Sequence, residues 1–471
     1  MKSRILGLLA ITAMVPLALN AAATIVIVNG DSAGVGFNDA TPAAPVGGNP
    51  GTTLGQQRLN AFQAAANKWG ATITSVPIIR VLATWEALAC NTTGAVLGSA
   101  GATEVFRDFP GAPLAGHWYG KALTAKIFGA DPDPATADIR ASFNINLGQT
   151  GCLDGVFFYL GLDGNHGANV DLVTVLQHEF AHGLGFQTFT NGQTGTYLAS
   201  FPSIADAFLM NPATAKTWDV MTAAERATSA ISGNKLVWIG SQVTAGVPSV
   251  LQMGAPNLRV TAPSSVAGNY LVGAAAFGPA LNSAGVTAEI MPVVDQANGT
   301  TGLACTALSA ANALAVNGKL ALVDRGTCTF NVKAANVQAA GAVGLIVVDN
   351  VAGTPPPGLG GTDPTITIPA VRITLADGNL LKTALAKRSR THSGVFAFLG
   401  IDLTLRTGAD NFNHAYMYAP SPFQIGSSVS HFDISAFPNQ LMEPAINADL
   451  THEVTVPADL TYAFLVDIGW N

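Results

Sequence analysis

The amino-acid sequence predicts an α+β fold made of two domains or of one domain interrupted by another. The chain has 471 residues, which is too long for one ordinary hydrophobic core. Hydrophobic residues make up 49% of it and charged residues 11%, a balance typical of compact rather than disordered proteins. Strand and helix patterns in the first half change near Val247 to short β-like runs separated by Gly, Pro and Ser.

The N-terminal segment has the composition of a secretory signal peptide. Lys2 and Arg4 precede an apolar stretch at 5–19, and small residues at 21–23 provide a cleavage zone. We therefore expect residues 1–23 to be removed and the mature protein to be secreted, extracellular or periplasmic. A retained anchor is the alternative, and no later stretch is long and apolar enough to span a membrane.

The predicted elements can be followed along the chain. In the first half, β-branched runs and helical spacing predict a strand at 24–28, a helix at 56–69, and strands at 76–81, 139–145 and 155–159. The pattern at 204–241 predicts mostly helix. Later elements are a strand and turn at 319–326, a helix at 330–340, a strand at 342–348, a Pro-Gly-rich loop at 353–364 and a strand at 366–371.

Charge and cysteine content narrow the classes of partner and compartment. A net charge of −7 without a basic run argues against nucleic acid and anionic membrane surfaces as partners. Four cysteines fit an oxidising compartment, and their positions suggest the pairs Cys90–Cys152 and Cys305–Cys328. Three pairings are open to four cysteines, so the sequence leaves the connectivity undecided. The absence of C-x-x-C spacing argues against a cysteine-bound metal.

The most informative motif is an H-E-x-x-H pattern at residues 178–182. Residues four apart on a helix share a face, so His178 and His182 can bind one metal ion. Glu179 lies about 100° around the helix, with its carboxylate beside the metal. The pattern predicts a zinc site with Glu179 as general base, and a buried helix with two satisfied histidines is the alternative.

The ends of this helix carry capping residues. Asn169 or Asp171 is suited to cap its start. Gly183 and Gly185 are natural C-cap residues that let the chain leave the helix close to the metal. A catalytic zinc site needs three protein ligands and a water, so one ligand must come from elsewhere in the chain.

Residues 319–348, with Cys328-Thr329-Phe330 and Ala339-Ala340-Gly341-Ala342, resemble a protease-associated (PA) domain. The later segment 368–374 fits that family's next strand, and Cys305 and Cys328 match its usual disulfide. The resemblance covers roughly residues 250–400. It implies a non-catalytic lid or docking module beside a protease site, whereas a generic βαβ unit is the alternative.

A second resemblance runs from Ala23 to about Val247 and resumes near residue 400. These parts are similar to secreted bacterial zinc proteases of the metzincin, leishmanolysin-like type that carry an inserted PA domain. The resemblance implies a zincin-type metalloprotease domain interrupted by a β-rich PA domain. The implied divisions are a signal peptide at 1–23, the first protease part at 24–247, the PA insertion at 248–400 and the second protease part at 401–471.

The compact metzincin pattern has a third histidine where this chain has Thr188, so the third ligand lies elsewhere. The segment 430–444 resembles the third-histidine and Met-turn segment of these proteases. The resemblance implies His431 as third metal ligand and Met442 as the methionine under the metal. The remaining alternatives for the third ligand are Glu225, His414 and His166.

These observations predict a secreted zinc metalloendopeptidase acting on protein or peptide substrates. Residues 139–145 are the candidate edge strand for substrate, an ordinary inner strand being the alternative. An Asp-rich loop at 163–171 leaves Ca²⁺ as a second cation. The alternative functions are a secreted aminopeptidase and an inactive zincin whose PA part binds proteins, and the oligomeric state is left open. Candidates for stabilising the oxyanion are Tyr416, Tyr462 and His452.

Overall fold

The computed structural model describes residues 22–294 and 302–470. The predicted signal peptide, 1–23, therefore lies outside the described residues except for its last two positions. Within the described ranges, no helix combines the length and apolar character needed to span a bilayer.

Within the described residues, the helices are interspersed among groups of consecutive strands. Two short 3₁₀ turns lie at Gly36–Asn38 and Ile204–Ala207. The α-helices in chain order are α1 (Leu54–Thr72), α2 (Lys121–Phe128), α3 (Leu172–Leu184), α4 (Ala223–Ser229), α5 (Ser241–Val250), α6 (Ala310–Val316), α7 (Phe330–Ala339), α8 (Leu375–Leu385) and α9 (Thr461–Ile468).

Many strands are only two or three residues long. In chain order they are β1 (Ile25–Asn29), β2 (Ile79–Glu86), β3 (Cys90–Asn91), β4 (Gly94–Ala95), β5 (Gly98–Ala102), β6 (Val105–Phe106), β7 (Tyr119–Gly120), β8 (Ile139–Asn144), β9 (Phe158–Tyr159), β10 (Val170–Asp171), β11 (Leu209–Asn211), β12 (Lys216–Thr217), β13 (Val237–Trp238), β14 (Met253–Ala262), β15 (Gly268–Tyr270), β16 (Gly273–Ala274), β17 (Val286–Pro292), β18 (Leu320–Asp324), β19 (Gly344–Val348), β20 (Ala370–Ile373), β21 (Phe396–Arg406) and β22 (Ala415–Tyr416).

A four-stranded sheet in the order β1-β2-β8-β5 supports the H-E-x-x-H helix. β1, β2 and β8 are parallel, and β5 runs antiparallel to β8 at the edge. The buried face of β2 alternates regularly and packs under α1 and α3. Residues 139–145 are thus an inner strand, and the edge-strand expectation for them is wrong. The edge is the small-residue strand β5, which lies against α3.

A second sheet of eight strands has the order β15-β14-β21-β17-β18-β19-β20-β16. Four adjacent strands, β17 to β20, run parallel. The helices α6 and α7 connect the first three of them, as parallel pairing requires, and a long loop connects β19 to β20. Apolar residues of α6 and α7 are buried on one face, and those of α8 on the other. The predicted strand–helix–strand order at 319–348 is therefore present.

The buried apolar residues divide into separate clusters. One cluster draws on residues 23–251 and again on 409–470, whereas two clusters lie within 258–399. β14 and β21, which enter and leave the second part, pair with each other from Met253 and Arg406 onward. The ends of the intervening segment therefore lie side by side, as insertion into another domain requires. The chain is a mixed α/β structure.

Two sequence expectations about local structure have clear outcomes. The disulfides are Cys90–Cys152 and Cys305–Cys328, as their positions suggested. The prediction of mostly helix at 204–241 is wrong in part, because that stretch includes β11, β12 and β13 besides α4. Leu209 and Met210 pair there with β13, so sheet pairing overrides a helical pattern.

Candidate metal centre

α3 is held in place at both ends and along its length. The Asp171 carboxylate caps its start by accepting the Thr174 N–H at 3.2 Å, as one of the two predicted caps. Gly185, with φ of +125°, ends it, whereas Gly183 lies inside the last turn rather than at the cap. A Cβ at Gly183 would overlap the Ile139 side chain, so glycine lets the helix approach β8 closely.

Three imidazoles converge in a buried cluster. His178 and His182 come from successive turns of α3, and His431 comes from the far part of the chain. Their Nε2 atoms are each 3.2 Å from the other two. Within the described ranges, this is the group of three side chains with metal-ligand atoms close enough to share an ion.

The other ring nitrogen of each histidine is bound to a backbone carbonyl. A carbonyl only accepts, so each Nδ1 carries the proton and each Nε2 has its lone pair free for a metal. Such partners fix both the tautomer and the ring orientation. The carbonyl oxygens, each 2.7 Å from Nδ1, are Leu441 for His178, Phe186 for His182 and Ser427 for His431.

The electrostatics of the cluster favour neutral rings. Burial lowers the pKa of His178 to about 3, and the neighbouring His182 contributes to the shift. Burial also lowers the pKa of His182 to about 4 and that of His431 well below its usual range. Neutral imidazoles are what a metal ion requires at physiological pH.

The three nitrogens fit a tetrahedral metal. With metal–nitrogen bonds of about 2.0–2.1 Å, two ligands of a tetrahedral zinc site lie roughly 3.3–3.4 Å apart. The observed 3.2 Å triangle is close to that value. Three nitrogen donors leave one position for water or substrate, which is the donor set of a catalytic rather than a structural site.

Glu179 lies between α3 and the edge strand. Its residue is only 7% exposed, and burial raises the pKa of its carboxyl to about 8, opposed by a hydrogen bond from the Ala100 backbone. Gly98 is close as well, since a Cβ there would lie 3.1 Å from the Glu179 Cγ. Glu179 is therefore a buried acid whose pKa lies near neutral pH, as general acid–base catalysis requires.

The segment around His431 is fixed by backbone pairing. Tyr418 N–H donates to the His431 carbonyl at 2.8 Å, and Phe432 N–H donates to the Met442 carbonyl at 2.7 Å. Met442 is fully buried beside Leu441, whose carbonyl holds His178. The structure thus places the predicted Met-turn segment next to both His178 and His431. The role of the Met442 thioether stays a prediction.

The alternative ligands take part in other interactions. Glu225 completes the capping box of α4 and pairs with Lys216 at 2.5 Å. His414 Nδ1 lies 3.0 Å from Asp410, and His166 Nδ1 lies 2.7 Å from the Asn169 carbonyl. None of the three belongs to the imidazole cluster.

The oxyanion and calcium candidates receive uneven support. His452 contacts the Asp171 carboxylate at 2.6 Å, at the start of α3, so about seven residues or 10 Å of helix separate that contact from His178. Burial raises the pKa of Tyr416 to about 12 and that of Tyr462 above its usual value, so both phenols stay protonated.

The Asp163 carboxylate already accepts from Tyr159 at 2.7 Å, and the described residues offer no support for Ca²⁺ at 163–171.

Sequence reasoning missed the backbone groups that orient the histidines. The carbonyls of Leu441, Phe186 and Ser427 carry no residue-specific signal, because any residue offers a carbonyl. Thr188 is also informative: its hydroxyl donates to buried Asp206 at 2.7 Å, and its N–H donates to Ser430 Oγ at 3.3 Å. Thr188, which occupies the position of the third histidine in the compact metzincin pattern, therefore contacts Ser430, the residue before His431.

Comparison with known proteins identifies one segment of the chain. Residues 286–381 match the PA domain family, so this part is a PA domain. An ER degradation-enhancing alpha-mannosidase-like protein 3 from Xenopus laevis is 40% identical over 82 residues, 16% of this chain and 9% of that protein. Vacuolar-sorting receptor 2 from Arabidopsis thaliana is 32% identical over 150 residues, 29% of this chain and 23% of the receptor. The chain spans less than a quarter of the length of these relatives.

Solved structures with some similarity include two aminopeptidases. The zinc aminopeptidase BSAP from Bacillus subtilis matches with a TM-score of 0.23 and 22% identity, over 34% of this chain and 36% of that one. The aminopeptidase from Aneurinibacillus sp. strain AM-1 matches with a TM-score of 0.24 and 20% identity, over 42% of both chains. TM-scores this low do not establish a shared fold.

Proposed function

We propose that the protein is a zinc-dependent peptidase that cuts peptide bonds within protein chains. The observation that carries the proposal is the triangle of Nε2 atoms from His178, His182 and His431, 3.2 Å apart and each oriented through Nδ1. Glu179 lies beside two of these residues on the same helix. Together they supply three metal ligands and one buried acid, which is the minimum set for metal-assisted hydrolysis.

The chemistry divides between the ion and the chain. A bound zinc ion would act as a Lewis acid, activating a water and polarising the scissile carbonyl. Glu179 would hold the proton taken from that water on its carboxylate and deliver it to the leaving amine. Burial supports this role, because the carboxyl keeps its proton more readily than an exposed one.

The edge strand offers a place for an extended substrate. β5 ends its sheet and lies against α3, so a peptide backbone can add to its outer edge close to Glu179. A strand edge can pair with the middle of a peptide chain as readily as with its end. This geometry supports endopeptidase action over aminopeptidase action, which needs a closed pocket for the substrate's free amine.

The protease type, the bounds of the PA insertion and secretion are proposed from the sequence. The metzincin, leishmanolysin-like type is supported by the segment 430–444, which brings His431 to the cluster. The PA-containing relatives and the solved aminopeptidase structures do not support this type. The PA insertion bounds of 248–400 and secretion after removal of 1–23 belong to the same proposal. The disulfides agree with an oxidising compartment.

The test is cleavage of denatured casein with bound zinc quantified in each variant. We expect Glu179→Gln to keep zinc and lose cleavage, and His431→Ala to lose both. Glu225→Gln, the matched control from the alternative ligands, should keep both. If His431→Ala retains full zinc and activity, the ligand assignment is wrong.

The same experiment separates the alternative functions. Product termini distributed through the casein sequence support an endopeptidase, whereas stepwise removal of N-terminal residues identifies an aminopeptidase. A wild-type protein that binds zinc and cuts neither proteins nor peptides would instead be an inactive zincin with a PA binding module.

A further inference from the structure

The PA segment contacts the histidine-bearing part of the chain at a second point besides β14 and β21. Thr354 N–H donates to the Ser421 carbonyl at 3.0 Å, and Ser421 N–H donates to the Thr354 carbonyl at 2.7 Å. Gly353 lies at the same contact, since a Cβ there would lie 2.8 Å from the Ser421 oxygen. We call this reciprocal backbone pair the Thr354–Ser421 seam.

On the PA side, the loop that carries Thr354 is fixed at both ends. Buried Asp349 accepts from Arg325 at 2.8 Å and from the two backbone amides that follow it. Arg372 lies 3.4 Å from the same carboxylate and donates to the Pro357 carbonyl at 2.9 Å. An ion cluster built on buried Asp349 and Arg372 therefore anchors the start and the end of the loop, which limits its freedom to move away from Ser421.

On the other side, Ser421 begins a short closed loop that ends at the third histidine. The Gln424 carbonyl accepts the N–H groups of Ser427 at 3.2 Å and Ser428 at 2.9 Å. The Ser427 carbonyl then accepts the Nδ1 proton of His431 at 2.7 Å. The seam and the orientation of His431 are thus joined by one compact run of backbone.

We propose that the PA domain is a positioning element for the third metal ligand, acting through the Thr354–Ser421 seam. The inference rests on the proposed function in taking the histidine cluster as a metal site. The seam fixes the loop at 421–428, the loop fixes the Ser427 carbonyl, and that carbonyl fixes the rotation of the His431 ring. Partners that orient a ligand change metal affinity by about 10–100-fold, so the PA domain contributes to metal retention without touching the metal.

Gly353 and Gly360 allow a matched test on the full chain. Gly353→Val inserts side-chain atoms between the loop and the Ser421 carbonyl, whereas a Cβ at Gly360 meets nothing within 4 Å. We expect Gly353→Val to raise the zinc dissociation constant about tenfold, measured by competition with a chelating indicator, and Gly360→Val to leave it unchanged. Zinc affinity that is unchanged in a folded Gly353→Val protein overturns the proposal.

A second measurement uses the wild type alone. Coupling between two sites is reciprocal, so bound zinc must also stabilise the seam. We therefore expect zinc to slow hydrogen exchange of the Thr354 and Ser421 amides about tenfold, and to slow exchange of the Val347 amide in the PA sheet less. Equal exchange with and without bound zinc also overturns the proposal, and this result decides if Gly353→Val does not fold. A wild-type protein that binds no zinc overturns the proposed function and this inference together. A wild-type protein that binds zinc without changing exchange at the seam overturns this inference alone.

Discussion

Replacing Glu179 by Gln is expected to stabilise the metal-free protein while abolishing cleavage. Glu179 is 7% exposed, and burial raises its pKa from 4.5 to about 8. The unfolded chain therefore releases this proton at a lower pH than the folded protein does. The favourable contribution of the protonated carboxyl is fully present below pH 4.5 and is lost as pH rises toward 8.

The magnitude follows from that window. At pH 7, about 2.5 pH units of it have been crossed, and each unit corresponds to about 1.4 kcal/mol, so keeping Glu179 buried costs roughly 3 kcal/mol. Glutamine has nearly the same volume and no ionisation. We therefore expect the free energy of unfolding of Glu179→Gln to exceed that of the wild type by roughly 3 kcal/mol at pH 7, and to equal it at pH 4.

Urea unfolding of both proteins in the presence of a chelator measures this difference. A variant that is less stable than the wild type at pH 7, or an advantage of the same size at pH 4 and pH 7, would refute the reasoning. Adding zinc provides a further check. A nearby cation favours the carboxylate, so the advantage of glutamine should shrink when the metal is bound.

Three further predictions concern the buried imidazoles, the packing of α3 against β8, and a disulfide. Burial lowers the pKa of His178 to about 3 and that of His182 to about 4. Metal-free Glu179→Gln protein should therefore lose stability against urea as pH falls from 6.5 toward 4, by roughly 1.4 kcal/mol per pH unit for each buried imidazole. An unfolding free energy that does not change over this pH range contradicts the prediction. Gly183→Ala should lower stability by about 1–3 kcal/mol through overlap with Ile139, partly restored by Ile139→Ala in the same chain; no change in the unfolding midpoint would mean that the helix and sheet can separate freely. Replacing Cys90 and Cys152, 62 residues apart, by serine should cost about 2–4 kcal/mol in thermal unfolding, and an unchanged midpoint would show that the loop closure contributes nothing.

The parts of the site with strong local signals could be predicted from sequence. The H-E-x-x-H helix combines a histidine spacing that brings the two side chains together on a helix with a capping aspartate and an exit glycine, and α3 follows that pattern. The PA domain is likewise matched at 286–381. His431 is indicated by resemblance alone, because no sequence periodicity connects residues that are 249 positions apart.

Features that depend on distant contacts could not be predicted. β5 reads Gly-Ser-Ala-Gly-Ala, which lacks the branched and aromatic residues that mark strands, and it is a strand because β8 offers a partner. The carbonyls that orient the histidines and the Thr354–Ser421 seam are backbone interactions, so side-chain identity reveals neither. Burial of Glu179 against Gly98 likewise depends on how the sheet edge meets α3.

The side-by-side entry and exit of the PA segment has a consequence for the order of synthesis. His178 and His182 leave the ribosome well before His431, and the whole segment between β14 and β21 emerges in the interval. Domains fold as units during synthesis, so this segment can complete its own core while the first two histidines still lack their partner. The three-histidine cluster can therefore be completed only after the whole segment between β14 and β21 has been synthesised.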